Sequence, residues 1–221
     1  VFLQSLAEQC VNPHDVCGVM SETYQGCNAV IMPADYAQSL RRWCSQYDAV
    51  LIFDEIQAGF GRTGKPFGFQ HLGVVPDLAA CGKAISGGMP LSAVIGVEEL
   101  MEMYGPGEMT STHSANPVCC AAAIANLRII KAEGLIENSA RLAPVLAEGL
   151  ERIRKASAGR IGFQASTGLV GAVQFTKPGS TDPDPEPAWE LVRQAVEQGL
   201  LLFAFAALML RILGPANVGD Y

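Results

Sequence analysis

No run of basic residues occurs in the 221-residue chain, whose 15 lysines and arginines are outnumbered by 22 aspartates and glutamates for a net charge of −7. Nucleic acid and anionic membrane surfaces, which are recognised by clustered positive charge, are therefore not expected partners. Histidine is scarce, and His14, His71 and His113 show no metal-ligand spacing, so no metal site is expected. The seven cysteines form no CxxC pair, and their odd number and mostly apolar contexts argue for reduced core residues of a cytoplasmic protein rather than a disulfide frame. Long hydrophobic runs are missing too: the longest, Leu200 to Leu210, is far short of the ~20 residues that span a bilayer. No signal peptide is read at the start. The chain opens at Val1 inside an apolar-periodic segment and stops at Tyr221 soon after a strand, so it is expected to be a piece of a longer protein.

What the chain does contain centres on residues 49–83. Ala49 to Phe53 is a short apolar run rich in branched residues, which reads as a parallel strand buried on both faces, with Asp54 at its carboxyl end and Gln57 in the loop beyond. A second apolar piece, Asp77 to Cys81, ends in Gly82 and Lys83 and then turns glycine-rich through Ser86, Gly87 and Gly88. Ligands of open α/β sheets bind at the carboxyl ends of strands. Two strand ends thus present an acid and an amine. That pairing fits pyridoxal phosphate, which needs an amine to hold its aldehyde as a Schiff base and a carboxylate to keep its ring nitrogen protonated. A surface lysine is the bland alternative for Lys83, disfavoured by its small and apolar neighbours.

A competing motif lies between them. Gly59, Gly61 and Gly64 spell G-x-G-x-x-G after a strand, with Asp77 at about the distance of a dinucleotide fingerprint. That reading needs a helix to open on the glycines. Pro66 and Gly68 follow instead, and the dinucleotide reading is set aside.

Along the rest of the chain, Val1 to Cys10 reads as the tail of a helix, Val16 to Met20 as a strand, and Pro33 to Tyr47 as a helix burying Tyr36, Leu40, Trp43 and Cys44. Ser92 to Gly96 is another strand. Asn116-Pro117 opens a small-residue helix, cap then first turn, with Ser111 and Thr112 ahead of it where an anion could meet a helix N-terminus or where a plain capping loop could lie. Gly134 to Ala156 is a long helix that Pro144 should bend. Ile161 to Phe175 reads as strands with Gly168 and Gly171 at turns, 177–187 as an exposed loop, and Ala188 to Gln198 as a helix stopped by Gly199. Arg211, alone in an apolar run, reads on composition as an edge-strand residue reaching solvent.

These motifs resemble the class III (omega) aminotransferases of the type I pyridoxal-phosphate fold: DEIQ at 54–57, GFGRTG at 59–64 and GK at 82–83, with the family's separation between acid and lysine. The resemblance covers nearly the whole chain. It implies a large α/β domain with a mostly parallel sheet and helices on both faces (1–133), a connecting helix (134–157) and the start of a small α+β C-terminal domain (158–221). It implies that Lys83 holds the cofactor, Asp54 its ring nitrogen and Gln57 its ring hydroxyl, that Ile56 packs on a ring face, and that Glu22, in ETYQG at 22–26, sits beside it. Thr112 would meet the cofactor phosphate of a neighbouring subunit in a homodimer with shared active sites. Arg211 would hold a substrate carboxylate, although only Pro215 of the family's following proline pair is present. Cys27 stands where relatives acting on ornithine or 4-aminobutyrate carry a gating glutamate. The expected reaction moves an amino group from an amine or omega-amino acid to a 2-oxo acid by a ping-pong mechanism. An aminomutase, decarboxylase or racemase on the same scaffold, or a non-catalytic fragment, are the alternatives. The family's phosphate loop and ring-stacking aromatic would lie upstream of Val1, so these residues alone are expected to hold the cofactor weakly.

Overall fold

The computed structural model describes residues 2–109, 111–202 and 204; Arg211 and Pro215 lie outside the described residues. In chain order the helices are α1 Phe2–Glu8, α2 Ala34–Tyr47, α3 Glu98–Met101, α4 Pro117–Ala132, α5 Leu135–Ala156 and α6 Pro185–Glu197. The strands are β1 Gly18–Glu22, β2 Tyr24–Gln25, β3 Val30–Ile31, β4 Val50–Asp54, β5 Leu78–Cys81, β6 Ala93–Gly96, β7 Ile161–Thr167 and β8 Val170–Phe175. Short 3-10 turns occupy Pro13–Asp15, Gly68–His71 and Lys83–Ile85. Two compact units result. One holds the described residues of Val1–Gly26 and Ile31–Arg141, and the other those of Cys27–Val30 and Leu142–Tyr221.

The first unit is built on a four-stranded sheet in the order β1-β4-β5-β6. β1 pairs parallel with β4 and β4 with β5, while β6 returns antiparallel along β5. The mostly parallel sheet is as expected, with β6 its exception. β1 begins two residues later than the sequence suggests, because the Asn12 side chain accepts from His14 N and the Val16 N–H donates to Pro13 O, holding that stretch in a 3-10 turn.

α2 covers β4. Its buried face is Ala37, Leu40, Trp43 and Cys44, packed on Leu51 and Phe53, both 0% exposed, with Leu72 and Val74 completing the core. Each large side chain so buried contributes ~1.5–3 kcal/mol. Tyr36, expected in this stripe, is exposed instead: Ala37 sits three residues before Leu40 and seven before Cys44, and its small side chain lets the helix lie close. Asp48 ends the helix in the left-handed region at φ 55°, donating its N–H to Cys44 O. β4 alternates rather than burying both faces alike, with Leu51, Phe53 and then Glu55 fully buried and Val50, Ile52 and Asp54 partly covered.

No helix opens on the 59–64 glycines, as the breakers foretold; a turn leads to the 3-10 segment at Gly68. A Cβ at Gly61, φ 93°, would stand 2.8 Å from Ile136 Cγ1, and one at Gly64, φ 87°, 3.1 Å from Ala140 Cα. The glycines admit the start of α5. α4 begins at Pro117 as predicted, with Asn116 Oδ1 accepting from Val118 N at 3.0 Å and Cys119 N at 3.3 Å.

In the second unit, β7 and β8 form an antiparallel hairpin turning at Gly168, φ 59°. Gly171, expected at a turn, lies inside β8, where a Cβ would meet Leu150 Cδ1 of α5 at 2.5 Å. α5 runs through Pro144 as one assigned helix. α6 starts at Pro185, earlier than the expected Ala188, since prolines in a first turn forgo N–H groups that have no intrahelical partner. Among the described residues no helix is long and apolar enough to cross a membrane, and no cluster of metal-ligating side chains occurs.

Candidate active site

Strand register sets the frame of the site. Glu22 pairs with Asp54, and Asp54 with Ala80, so the last residues of β1 and β4 and the end of β5 lie in one row at the carboxyl edge of the parallel strands. Beyond that edge the loops close on one another. Asp54 Oδ1 accepts from Ile56 N at 2.9 Å, a local bond that fixes the carboxylate at the strand tip. Gln57 uses both ends of its amide: Nε2 donates to Gly26 O at 3.3 Å, and Oε1 accepts from Lys83 Nζ at 2.7 Å. Glu22 Oε1 accepts from Gly26 N at 3.4 Å. A chain of hydrogen bonds therefore runs from Glu22 through Gly26 and Gln57 to the Lys83 amine.

Two glycines leave room for it. A Cβ at Gly26 would stand 2.6 Å from Gln57 Oε1, and one at Gly82 would stand 3.3 Å from Ile56 Cγ2. Close backbone approach is what those positions require. Lys83 itself has φ 42°, an uncommon conformation for a residue with a side chain and of the kind that clusters at functional sites. The lysine is exposed rather than enclosed by its small neighbours, and its amine is bonded to an amide rather than an acid. It stands open to a ligand.

Glu22, Asp54, Ile56, Gln57 and Lys83 thus share one edge of the sheet. Thr112 is exposed in the turn ahead of α4, and among the described residues no hydrogen bond ties it to the others. Arg211 is outside the described residues.

Two supporting residues escaped the sequence reading. Asn126 of α4 donates through Nδ2 to Ala84 O at 2.6 Å and Ile85 O at 3.3 Å, and so pins the turn that carries Lys83. An asparagine in a helix interior, where its propensity is poor, was the available signal. Glu55 is fully buried and accepts from Thr23 Oγ1 at 2.8 Å, Gly68 N at 2.7 Å and Phe69 N at 2.9 Å. Strand alternation, which sends it to the face opposite Asp54, was the signal there. Burial pushes the Glu55 carboxyl up from its ordinary range, against the three hydrogen bonds that lower it. The Cys81 thiol is pushed up to about 11, first by burial and then by the charges of Glu55 and Asp54.

An acid at one strand end and an amine just past the next, the amine bonded to the Gln57 amide and the Ile56 side chain close by, can together hold a ligand ionically and a carbonyl covalently. The comparisons carry this to a family. Residues 2–220 match the model for class-III aminotransferases, and the chain belongs to that family, whose cofactor is pyridoxal phosphate. It is 33% identical over 219 residues to a 4-aminobutyrate aminotransferase of Mycobacterium leprae, covering 98% of this chain and 49% of that protein. It is 36% identical over 202 residues to an acetylornithine aminotransferase of Gloeobacter violaceus, covering 90% and 48%. Among solved structures, a transaminase from the marine bacterium Virgibacillus superposes with a TM-score of 0.81 at 29% identity, covering 90% of this chain and 47% of that one. The ornithine delta-aminotransferase of Plasmodium falciparum gives 0.78 at 30%, covering 90% and 51%. The chain spans about half the length of the curated relatives it matches.

Proposed function

We propose that this chain supplies the lysine-bearing part of a pyridoxal-phosphate-dependent aminotransferase that moves an amino group from an amine or omega-amino acid to a 2-oxo acid. The observation that carries the reading is the Lys83 amine 2.7 Å from Gln57 Oε1, on the sheet edge that also carries Asp54. The residues present fit the cofactor: the carboxylate is fixed, the amine is exposed, and the glycines at 26 and 82 let the backbone come close. When bound, pyridoxal phosphate supplies an aldehyde that takes up amines and a ring that accepts the electron pair left when a substrate carbon loses its proton.

The chain's own residues then divide the work. Asp54, anchored by the Ile56 N–H, holds a proton on the ring nitrogen by placing a negative charge beside it. Gln57 offers its amide to the ring hydroxyl, and Ile56 gives the ring face an apolar neighbour. Glu22 orders the 22–26 loop through Gly26 N. Lys83 would be the covalent holding group, and as a free amine it would carry the proton between the substrate carbon and the cofactor carbon, in one direction with the donor and in the other with the acceptor. Arg211 forks the carboxylate of the oxo acid, and Thr112 meets the cofactor phosphate in a second copy, which makes the working unit a homodimer. Both half-reactions use one site in turn, as a ping-pong sequence requires. Cys27 in place of the gating glutamate directs us to the wider class of amine and omega-amino acid donors, beyond the substrates for which the relatives are named.

The test is to load the protein carrying this chain with pyridoxal phosphate, reduce it with borohydride and map the adduct by peptide mass. The adduct is expected on Lys83 and lost in Lys83→Ala. Donor added without acceptor is expected to release one carbonyl product per site, which separates a transferase from a racemase or aminomutase. An adduct on another lysine, or none, refutes the assignment.

A further inference from the structure

Among the described residues Glu55 is the only charged side chain that is fully buried, and no cation pairs with it. Such a burial is costly unless hydrogen bonds replace water, and here donors converge from two separate segments. Thr23, next to Glu22 at the end of β1, donates its hydroxyl to Oε1; Phe69 N–H donates to the same oxygen and Gly68 N–H to Oε2. The segments are packed to contact: a Cβ at Gly68 would stand 2.5 Å from Thr23 Oγ1 and 2.9 Å from Ala58 Cβ. The Glu55 backbone adds two ties, its N–H to Ala80 O at 2.9 Å and its carbonyl from Gly59 N at 2.8 Å. One residue therefore fastens the end of β1, the end of β5 and the 68–69 turn to the tip of β4.

We propose that Glu55 is a positioning residue of the site: its buried carboxylate gathers the end of β1 and the 68–69 turn onto the tip of β4, which its backbone ties to the end of β5, and so sets where Asp54, Gln57 and Lys83 stand around the cofactor. The inference rests on the reading of the site given above. The geometry has a direct logic. Alternation along the chain turns Asp54 toward the ligand edge and Glu55 into the interior, so a shift of the interior anchor moves the ligand-facing acid with it. Ala80, bonded to Glu55 N, lies three residues before Lys83, so the same shift reaches the amine. An apolar residue cannot replace the anchor, because it would leave two backbone N–H groups buried without acceptors. The two neighbouring carboxylates also act on each other, the Asp54 charge adding to the rise of the Glu55 carboxyl.

Two variants of the protein carrying this chain test it. Glu55→Gln keeps the shape but turns one acceptor into a donor; Thr23→Val removes one donor and leaves the charge. The readouts are the affinity for pyridoxal phosphate, and the pH midpoint at which the visible band of the bound cofactor changes. We expect Glu55→Gln to weaken binding about tenfold, the scale of losing an outer partner that orients a binding group. Its pH midpoint should fall by about half a unit, because a nearby anion favours the protonated form and its loss removes that bias. Thr23→Val is expected to weaken binding about threefold with the midpoint unmoved, since the charge remains. Glu55→Gln with unchanged affinity and midpoint but a lower unfolding temperature would mean that Glu55 only stabilises the fold, and overturns the inference. If Glu55→Gln does not fold, Thr23→Val decides, and unchanged affinity there overturns it as well. A wild type that forms no adduct on Lys83 sinks the reading of the site and this inference with it; an adduct together with an unaffected Glu55→Gln sinks this inference alone.

Discussion

Replacing Gly61 by alanine tests why glycines punctuate the loop after Asp54. Gly61 has φ 93°, and an added Cβ would stand 2.8 Å from Ile136 Cγ1 and 3.4 Å from Ile136 Cα at the start of α5. Left-handed backbone costs a residue with a Cβ about 1–2 kcal/mol. Forcing a methyl into occupied space costs typically about 1–3 kcal/mol more. Gly61→Ala should therefore destabilise by about 2–5 kcal/mol, a large share of the about 5–15 kcal/mol that a domain has. Gly107, φ 88° with nothing within 4 Å of its Cβ position, supplies the control for strain alone. Its alanine variant should cost about 1–2 kcal/mol. Ile136→Ala in the Gly61→Ala background removes the atom that is struck, so the two changes should couple favourably by about 1 kcal/mol or more. Urea unfolding followed by the fluorescence of Trp43, with Trp189→Phe as background, reads the first unit. If Gly61→Ala cost no more than Gly107→Ala, the packing explanation would be wrong, and the glycines would again need a ligand to account for them.

The elements around the site were legible because their signals are local. The apolar run into Asp54, the Asn116-Pro117 cap and the Pro66 and Gly68 breakers each act within a few residues, and each stands where the chain alone places it. Errors arose where a neighbour decides. Tyr36 has the right periodicity for the α2 stripe, but the approach of the helix to β4 favours the smaller Ala37. Gly171 reads as a turn residue until Leu150 is found against it. Lys83 looks enclosed from its sequence neighbours, yet its exposure depends on what covers the carboxyl edge of the sheet, and sequence neighbours say nothing of that. Glu55 has no role in the sequence reading; only the strand's alternation and three donors from distant segments show that it serves the interior.

Phe53→Ala removes a fully buried ring between α2 and the sheet and should destabilise the first unit by about 3–5 kcal/mol, measured by the same urea titration. A cost below about 1 kcal/mol would mean that the α2–β4 core is not the unit's main support. Alkylation should discriminate among the cysteines: Cys10 and Cys17 are exposed and should react first with iodoacetamide at neutral pH. Cys81, buried and with its thiol pushed up to about 11, should be labelled only after unfolding; peptide mass spectrometry reads the order, and early labelling of Cys81 contradicts it. The pH dependence of stability gives the last test. Burial raises the Glu55 carboxyl in the folded chain, whereas unfolding returns it to its ordinary value near ~4.3. The folded state therefore binds this proton more tightly than the unfolded one, and the Glu55 contribution is fully present below the unfolded value. As pH rises toward the folded value the contribution is lost, and above it the curve levels. Glu55→Gln has no such proton to lose. The stability of the wild type relative to Glu55→Gln should consequently fall as pH rises across the carboxylate range, whatever the offset between the two proteins. A pH-independent difference would show that the three hydrogen bonds from Thr23, Gly68 and Phe69 cancel desolvation, and one that grows with pH that they outweigh it and hold Glu55 ionised more firmly folded than unfolded.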